Sequence, residues 1–392
     1  MTGADDGWLN ALIGLLQGAQ VALLQALAAL GLVGASHGQP AWPWALKLSG
    51  ENLLIDLGQA RRLAASLVVG ALVVVLLLLA MVWRRRRVAL FVTVPLLLAM
   101  APWPDARVIW VAATPASFHD SPSGFTVQSI AQGRALYAQH CVGCHGADGR
   151  GQGASADARS MSPPNLAGPL LWRRADGDLL WHVMHGMRAR DGAQTMPAFG
   201  GRLRADEAWA LIDFMKAQAA GETLRATGVW ALPAALPDVA VRCDGQLPRR
   251  LVSWRGQRVR IVAQDDAPAD PQAPLEDPRL VTVRLAPQAQ AASRDGAGCV
   301  VDASEAPDAW AAFALVTGAS TLAGTTLIAD RDGWLRARSE PGQAGWSDDD
   351  LLCRTDTAPR VASPVAVADG LGALIARMDA QPVRFVKGGF AH

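Results

Sequence analysis

Apolar positions run almost unbroken through the first quarter of the chain, and periodic patterns replace them after about residue 105. Leu63 to Trp83 contains no charged residue and is mostly Val, Leu and Ala. That is long enough to span a bilayer and lacks the single stripe of a soluble core helix. Arg84 to Arg87 follow at once, and Val88 to Pro104 is again uncharged. These two stretches predict a hairpin whose arginine turn stays cytoplasmic. Upstream, Gly7 to Leu46 carries no charge, with Asn10, Gln17, Gln20 and Gln25 on one broad helical arc. Residues 8–34 read as a further spanning helix whose polar stripe faces protein. The alternative is an amphipathic helix lying on the membrane surface. Trp42, Trp44, Trp83 and Trp103 suit interfacial anchors. The expectation is a membrane anchor over residues 1–105 with three transmembrane helices, at 8–34, 63–83 and 88–104. Everything beyond it then lies outside. The arginines followed by an apolar run and Ala99-Met100-Ala101 imitate a cleavable leader, but Pro102 right after that site disfavours cleavage.

Beyond the anchor, Gly133, Leu136 and Tyr137 share one helix face. Residues 178–187 repeat apolar positions at helical spacing through Leu179, Leu180, Val183 and Met184. Ala205-Asp206-Glu207 opens another helix, with Trp209, Leu211, Ile212, Phe214 and Met215 along it. Residues 221–237, with Gly228, Pro233 and Pro237, read as a linker. After it come strands at Arg258–Val262 and Leu280–Leu285, then a hairpin at 325–338 turning through Asp330-Arg331-Asp332-Gly333. A closing amphipathic helix covers residues 367–379. The order of these elements resembles an α/β thioredoxin-like domain, placed at 236–392. The paired cysteines of that family are missing, since the chain after the first strand reads Gln264-Asp265-Asp266-Ala267-Pro268.

The sharpest chemistry lies between these regions. Cys141-Val142-Gly143-Cys144-His145 is C-x-x-C-H, the attachment sequence of a c-type haem. Two thiols three residues apart reach both vinyl groups of one porphyrin, and the next His becomes the proximal iron ligand. A zinc site would need a second ligand pair, and a dithiol redox pair has no use for the adjoining His. For the sixth position, Met196 of Thr195-Met196-Pro197-Ala198-Phe199-Gly200 is the candidate. A thioether next to Pro, in a loop flanked by Gly192 and Gly200, is held on stiff backbone. Met161, Met184, Met187, His182 and His185 are rivals, with the two histidines the main ones.

Residues 127–220 resemble the class I cytochromes c, an all-α family. Gly133 and Tyr137 match the family's N-terminal helix, and Trp209 and Phe214 match its C-terminal helix. Pro164-Asn165-Leu166-Ala167-Gly168 is similar to its Pro-x-Leu-x-Gly segment. The resemblance implies that the Pro164 carbonyl accepts the N–H of the ligating His145. The stretch between His145 and Pro164 is longer than the family pattern and rich in Gly and Ala. The domain is placed at 120–222 and implies one covalently attached haem c.

The remaining cysteines, 243, 299 and 353, stand apart in sequence. One structural disulfide, with Cys243–Cys299 preferred because both flank strands, is one reading, and a Cu(I) site is the other. The chain carries 36 Lys and Arg against 35 Asp and Glu, a net charge of +1. That balance points to neither nucleic acid nor a polyanionic partner. No phosphate loop, catalytic triad, paired carboxylates or internal repeat is present. The expected function is a membrane-anchored monohaem cytochrome of the bacterial inner membrane. It transfers single electrons on the periplasmic side, within or between respiratory complexes, between redox protein donor and acceptor, and is not itself an enzyme. The alternatives are a haem enzyme with an open sixth position, or a docking or assembly subunit of a larger oxidoreductase complex.

Overall fold

The computed structural model describes residues 7–83, 85, 87–156, 162–168, 170–230, 233–243, 246–265, 277–288, 298–343, 345–353, 370–386 and 389–391. The first apolar stretch is helix α1, Gly7–Ala29. It stops short of residue 34 because Gly31 takes a left-handed φ of 69° and reverses the chain. Ser49 caps α2, Gly50–Ile55, by accepting the Asn52 N–H. Asp56 in turn caps α3, Leu57–Val82, by accepting the Gln59 N–H. With that cap, α3 starts six residues ahead of the apolar run expected at 63–83 and takes Arg61 and Arg62 into its second turn. After the arginine turn, α4 covers Arg87–Met100 and packs along α3. It is shorter than the 88–104 expected. By length and composition, Trp8–Ala29 and Leu57–Val82 are able to cross a membrane, and Val88–Met100 is a shorter apolar helix. Apolar side chains such as Val68, Leu72, Leu78, Phe91 and Leu96 line the outside of the α3–α4 pair.

The polar stripe of α1 is used inside the protein. Strand β1, Leu46–Leu48, pairs antiparallel with β2, Trp110–Ala112. Gln17 Nε2 donates to the Leu48 carbonyl at 2.9 Å, and Gln20 Oε1 accepts the Leu48 N–H at 2.9 Å. On the same side of α1, Leu9 and Ile13 pack with Leu53, Ala60, Ala64 and Ile109. Nearer its other end, Leu24 packs with Trp42 and Phe118.

Two compact units divide the chain. The first holds residues up to Phe118 together with Arg173–Ala175 and Arg384–Ala391; the second holds His119–Trp172 and Asp176–Val383. The last two strands, Arg384–Val386 and Gly389–Ala391, thus group with the first unit rather than with the 236–392 domain expected.

In the second unit, α5 (Val127–His140) ends in the one-turn helix α6 (Val142–His145), and α7 covers Asp176–His185. Strands β3 (Met187–Arg188) and β4 (Gln194–Met196) form a small antiparallel hairpin, followed by α8, Ala205–Thr227. The crossing of α5 and α8 depends on Gly133, where an added Cβ would sit 2.0 Å from the Ala210 carbonyl oxygen. Beside it Tyr137 and Phe214 pack with ring centroids 5.2 Å apart. Helix α8 runs on to Thr227 and ends at Gly228 in the left-handed region, so the first seven residues of the expected 221–237 linker are helical.

Those extra turns dock the third region. The sheet order is β5-β12-β11-β8-β9-β10-β6-β7, numbered β5 Ala234–Ala235, β6 Ala240–Cys243, β7 Arg249–Arg250, β8 Arg258–Ala263, β9 Leu280–Leu285, β10 Cys299–Val301, β11 Thr326–Ala329 and β12 Trp334–Ser339. Strands β8, β9 and β10 are mutually parallel, and β11 and β12 are antiparallel additions on the other side. Helices α9 (Ala306–Thr317) and α10 (Gly370–Ala380) complete the domain. Gly221 of α8 meets α9 backbone to backbone, since a Cβ there would lie 1.9 Å from the Leu315 oxygen. Just past α8, buried Trp230 donates its indole N–H to the Val316 carbonyl at 3.2 Å. Cys243 and Cys299 face each other across β6 and β10 and are disulfide-bonded. With two of the three thiols in a bridge, the three-cysteine Cu(I) reading is withdrawn. Cys353 is a buried thiol outside the bridge.

One buried acid in α8 makes the second unit pH-sensitive. Asp213 is 3 % exposed and receives the Ser123 hydroxyl at 2.5 Å. Ser129 Oγ lies 2.6 Å from the same carboxylate oxygen and 2.8 Å from the Thr126 carbonyl, and its single proton serves only one of them. Burial, opposed by these hydroxyls, raises the Asp213 pKa to about 6. The folded state therefore holds a proton that the unfolded chain, with an ordinary carboxyl near 3.8, has released. Stability contributed by the protonated form is present below about pH 4 and is lost as pH rises to about 6. Asp213→Asn is expected to gain on the wild type across that window by up to ~3 kcal/mol, and to gain nothing further above it. Urea denaturation at several pH values measures this; a difference independent of pH would show that Asp213 ionises normally.

Candidate functional site

The C-x-x-C-H sequence occupies the break between α5 and α6. Cys141 closes α5, its N–H donating to the Tyr137 carbonyl at 2.9 Å. The next turn is helical: the Cys144 and His145 N–H groups donate to the Cys141 carbonyl at 3.1 and 2.9 Å. Positions i, i+3 and i+4 of one turn share a face, so both thiols and the imidazole point to the same side. Gly146, at φ 77°, ends the turn, and its carbonyl accepts the buried Tyr137 hydroxyl at 2.9 Å. Burial raises the Tyr137 pKa, so the hydroxyl stays a donor.

The Gly-rich stretch after His145 then folds back over this turn. Gly151, Gly153 and Ser155 donate their N–H groups to the carbonyls of His145, Cys144 and Gly143 at 2.8, 3.1 and 2.6 Å. An added Cβ on Gly153 would lie 2.4 Å from the Gly143 oxygen. On Gly151 it would lie 2.3 Å from the Pro163 oxygen and 3.3 Å from that of Pro164. These close approaches bring the Pro164 segment to His145 despite the length of the intervening chain. Burial lowers the His145 pKa, and the Pro164 carbonyl beside the ring opposes that shift. The buried Nδ1 has no hydrogen bond of ordinary length and angle. The carbonyl thus acts on the ring through its charge without closing a geometrically complete bond. Burial, and then neighbouring Cys144, pushes the Cys141 thiol up to about 12, so it is protonated at neutral pH.

Met196 ends β4 and is half-buried. The loop after it is fixed to the end of α7: the Phe199 and Gly200 N–H groups donate to the Val183 and Met184 carbonyls at 3.0 and 2.9 Å. Gly186, at φ 72°, lets the Met196 carbonyl approach to where a Cβ would be 2.5 Å away. Among the rivals, Met184 is buried in α7. His185 is exposed, its ring stacked on Trp181 at 3.6 Å between centroids, and His182 is half-buried on α7. Met161 lies outside the described residues. Met187 is the rival that sequence spacing undervalues. It is paired with Met196 across the β3–β4 hairpin, so both thioethers leave the same face. Sequence reasoning also missed the glycine cradle at 146, 151 and 153, whose signal was present only as composition.

Residues 128–215 match the family model described as cytochrome C oxidase, cbb3-type, subunit III. No curated protein sequence matches the chain. Among solved structures, a chain of the Kuenenia stuttgartiensis reducing HAO-like protein complex Kustc0457/Kustc0458 is similar at 22 % identity, with a TM-score of 0.20. The match covers 26 % of this chain and 50 % of that one, so this chain spans half the length of that neighbour. A putative electron transfer protein from Aquifex aeolicus VF5 is similar at 10 % identity and a TM-score of 0.23, covering 29 % of this chain and 90 % of that one.

Proposed function

We propose that this chain, whose residues 128–215 form a c-type cytochrome domain, is a membrane-anchored monohaem cytochrome that relays single electrons. Its place is the periplasmic face of a bacterial inner membrane, within or between respiratory complexes. The observation that carries this reading is the α6 turn, which turns two unbridged thiols and one imidazole to a single side. That donor set fits haem c: two unbridged thiols are available to add to the vinyl groups, and one imidazole nitrogen remains for iron. When bound, the haem supplies the one-electron chemistry. The chain's own residues do the rest. Cys141 and Cys144 would tether the macrocycle, His145 would ligate the iron, and the Pro164 carbonyl beside its ring would orient it. Met196 would be the second iron ligand, which would keep substrates off the metal and favour a higher potential than a second histidine.

The α3–α4 pair, with its apolar exterior and arginine turn, serves as the anchor. In the sheet domain, the run β12-β11-β8-β9 combines a parallel central pair with two antiparallel neighbours and a closing helix. This supports a thioredoxin-like reading. Gln264 and Asp265, directly after β8, offer no thiol, so the domain's role is docking, to redox partners or to other subunits of a membrane oxidoreductase complex.

The test is carbon monoxide and haem content on the detergent-purified full chain. We expect one haem c per chain by pyridine haemochrome, and a dithionite-reduced spectrum that carbon monoxide leaves unchanged at neutral pH. Rapid, complete binding would overturn the carrier reading in favour of a haem enzyme with an open position.

A further inference from the structure

The placement of α1 bears on how often the chain crosses the membrane. On length and composition alone α1 qualifies as a span, yet it packs on α2, on the start of α3, on the residues between α1 and α2, and on the C-terminal strand Arg384–Val386. The outer end of that hairpin is marked by polar bonds: Gln59 Oε1 accepts the Asp105 N–H at 2.9 Å, and Ser66 Oγ donates to the Pro102 carbonyl at 3.2 Å. Exposed Arg61 and Arg62 sit at the same level. Leu9 and Ile13, in the first two turns of α1, pack against Ala60 and Ala64, the first two turns of α3. Were α1 a span entering from the cytoplasm, its last turns, not its first, would lie at that level.

The middle of α1 is equally telling. Gln17 and Gln20 grip the backbone of Leu48 in the two-stranded β1–β2 ribbon. Such a ribbon has open edges, and open edges facing lipid do not occur inside the hydrocarbon layer. Farther on, Leu24 meets Trp42 and Phe118, the latter well past the hairpin's last residue. The opposite face presents Trp8, Ala11, Leu15, Ala19, Ala22 and Ala26, exposed at helical spacing and without charge.

We propose that α1 lies along the outer membrane–water interface with this face toward lipid, and that the chain crosses the bilayer twice, not three times. The start of α1 then stays on the outer side, and among the described residues only those at the turn between α3 and α4 reach the cytoplasm. The occupant of the apolar face is the lipid surface because α1 packs on the outer end of the anchor through its other side and the chain carries no charge from Gly7 to Leu46. This rests on the membrane-anchored reading above.

The test uses the full chain in spheroplasts, with an epitope at the N-terminus, within the Arg84–Arg87 turn, or at the C-terminus, in three separate versions. Antibody is expected to reach the N- and C-terminal epitopes on intact spheroplasts, and the turn epitope only after permeabilisation. An N-terminal epitope hidden until permeabilisation, beside an accessible C-terminal one, would overturn the two-crossing arrangement. If the unaltered chain washes off with carbonate, the anchor reading itself fails, and the present inference with it.

Discussion

Replacing Met196 with alanine is expected to lower the midpoint potential by on the order of 0.2 V, a fraction of the roughly 0.8 V range that axial ligands command. The reduced variant should also bind carbon monoxide where the parent does not. The loop is held by main-chain bonds from Phe199 and Gly200 to the end of α7, so removing the thioether leaves the backbone in place and isolates the ligand's effect. The comparison that matters is Met187→Ala. Met187 stands opposite Met196 in the hairpin and is 44 % exposed, which makes it the natural substitute if Met196 is not the ligand. We expect Met187→Ala to leave both potential and carbon monoxide behaviour unchanged. The reverse outcome, a shift in Met187→Ala and none in Met196→Ala, would reassign the sixth position. Redox titration followed at the Soret band reads both.

The second large effect is expected at Gly221. Helix propensity alone favours alanine over glycine in a helix by about 1 kcal/mol. Here the added carbon would stand 1.9 Å from the Leu315 oxygen and 2.8 Å from the Gly318 nitrogen. Both neighbours are backbone, so no rotamer change relieves the clash and α8 and α9 must separate. Gly221→Ala should therefore destabilise the second unit by about 2–4 kcal/mol, with the haem spectrum intact because the α6 turn lies elsewhere. Urea unfolding followed by tryptophan fluorescence measures it, Trp230 being buried at this contact. A variant as stable as the parent would mean that the two helices do not touch through their backbones.

These positions show what a sequence discloses and what it withholds. The i, i+3, i+4 spacing of Cys141, Cys144 and His145 is a local property of one helical turn, so its geometry is readable directly. The small residue at 133 and the aromatics at 137 and 214 carry their own packing logic, and the Cys243–Cys299 pairing follows once both residues are placed on strands. Gly221 is the opposite case. As a letter it signals a break, and it does so only until α9 is known to press against it. Gly146, Gly151 and Gly153 likewise read as a loose insertion, because the carbonyls they approach belong to residues on the far side of a fold-back. Composition reports that glycine is abundant there without telling which atoms need the room. The length of α1 and its pattern of glutamines were visible, but the partner of those glutamines, the Leu48 backbone, lies 28 residues away from Gln20.

The contact of Gly221 with α9, reinforced by Trp230, carries a consequence for kinetics. It joins the sheet domain to the haem-bearing helices as one body, so a protein that grips only the sheet domain inherits a fixed tunnelling distance to the porphyrin. Electron exchange with such a partner would then proceed at a single rate, set when the chain folds, with no swinging arm to wait for.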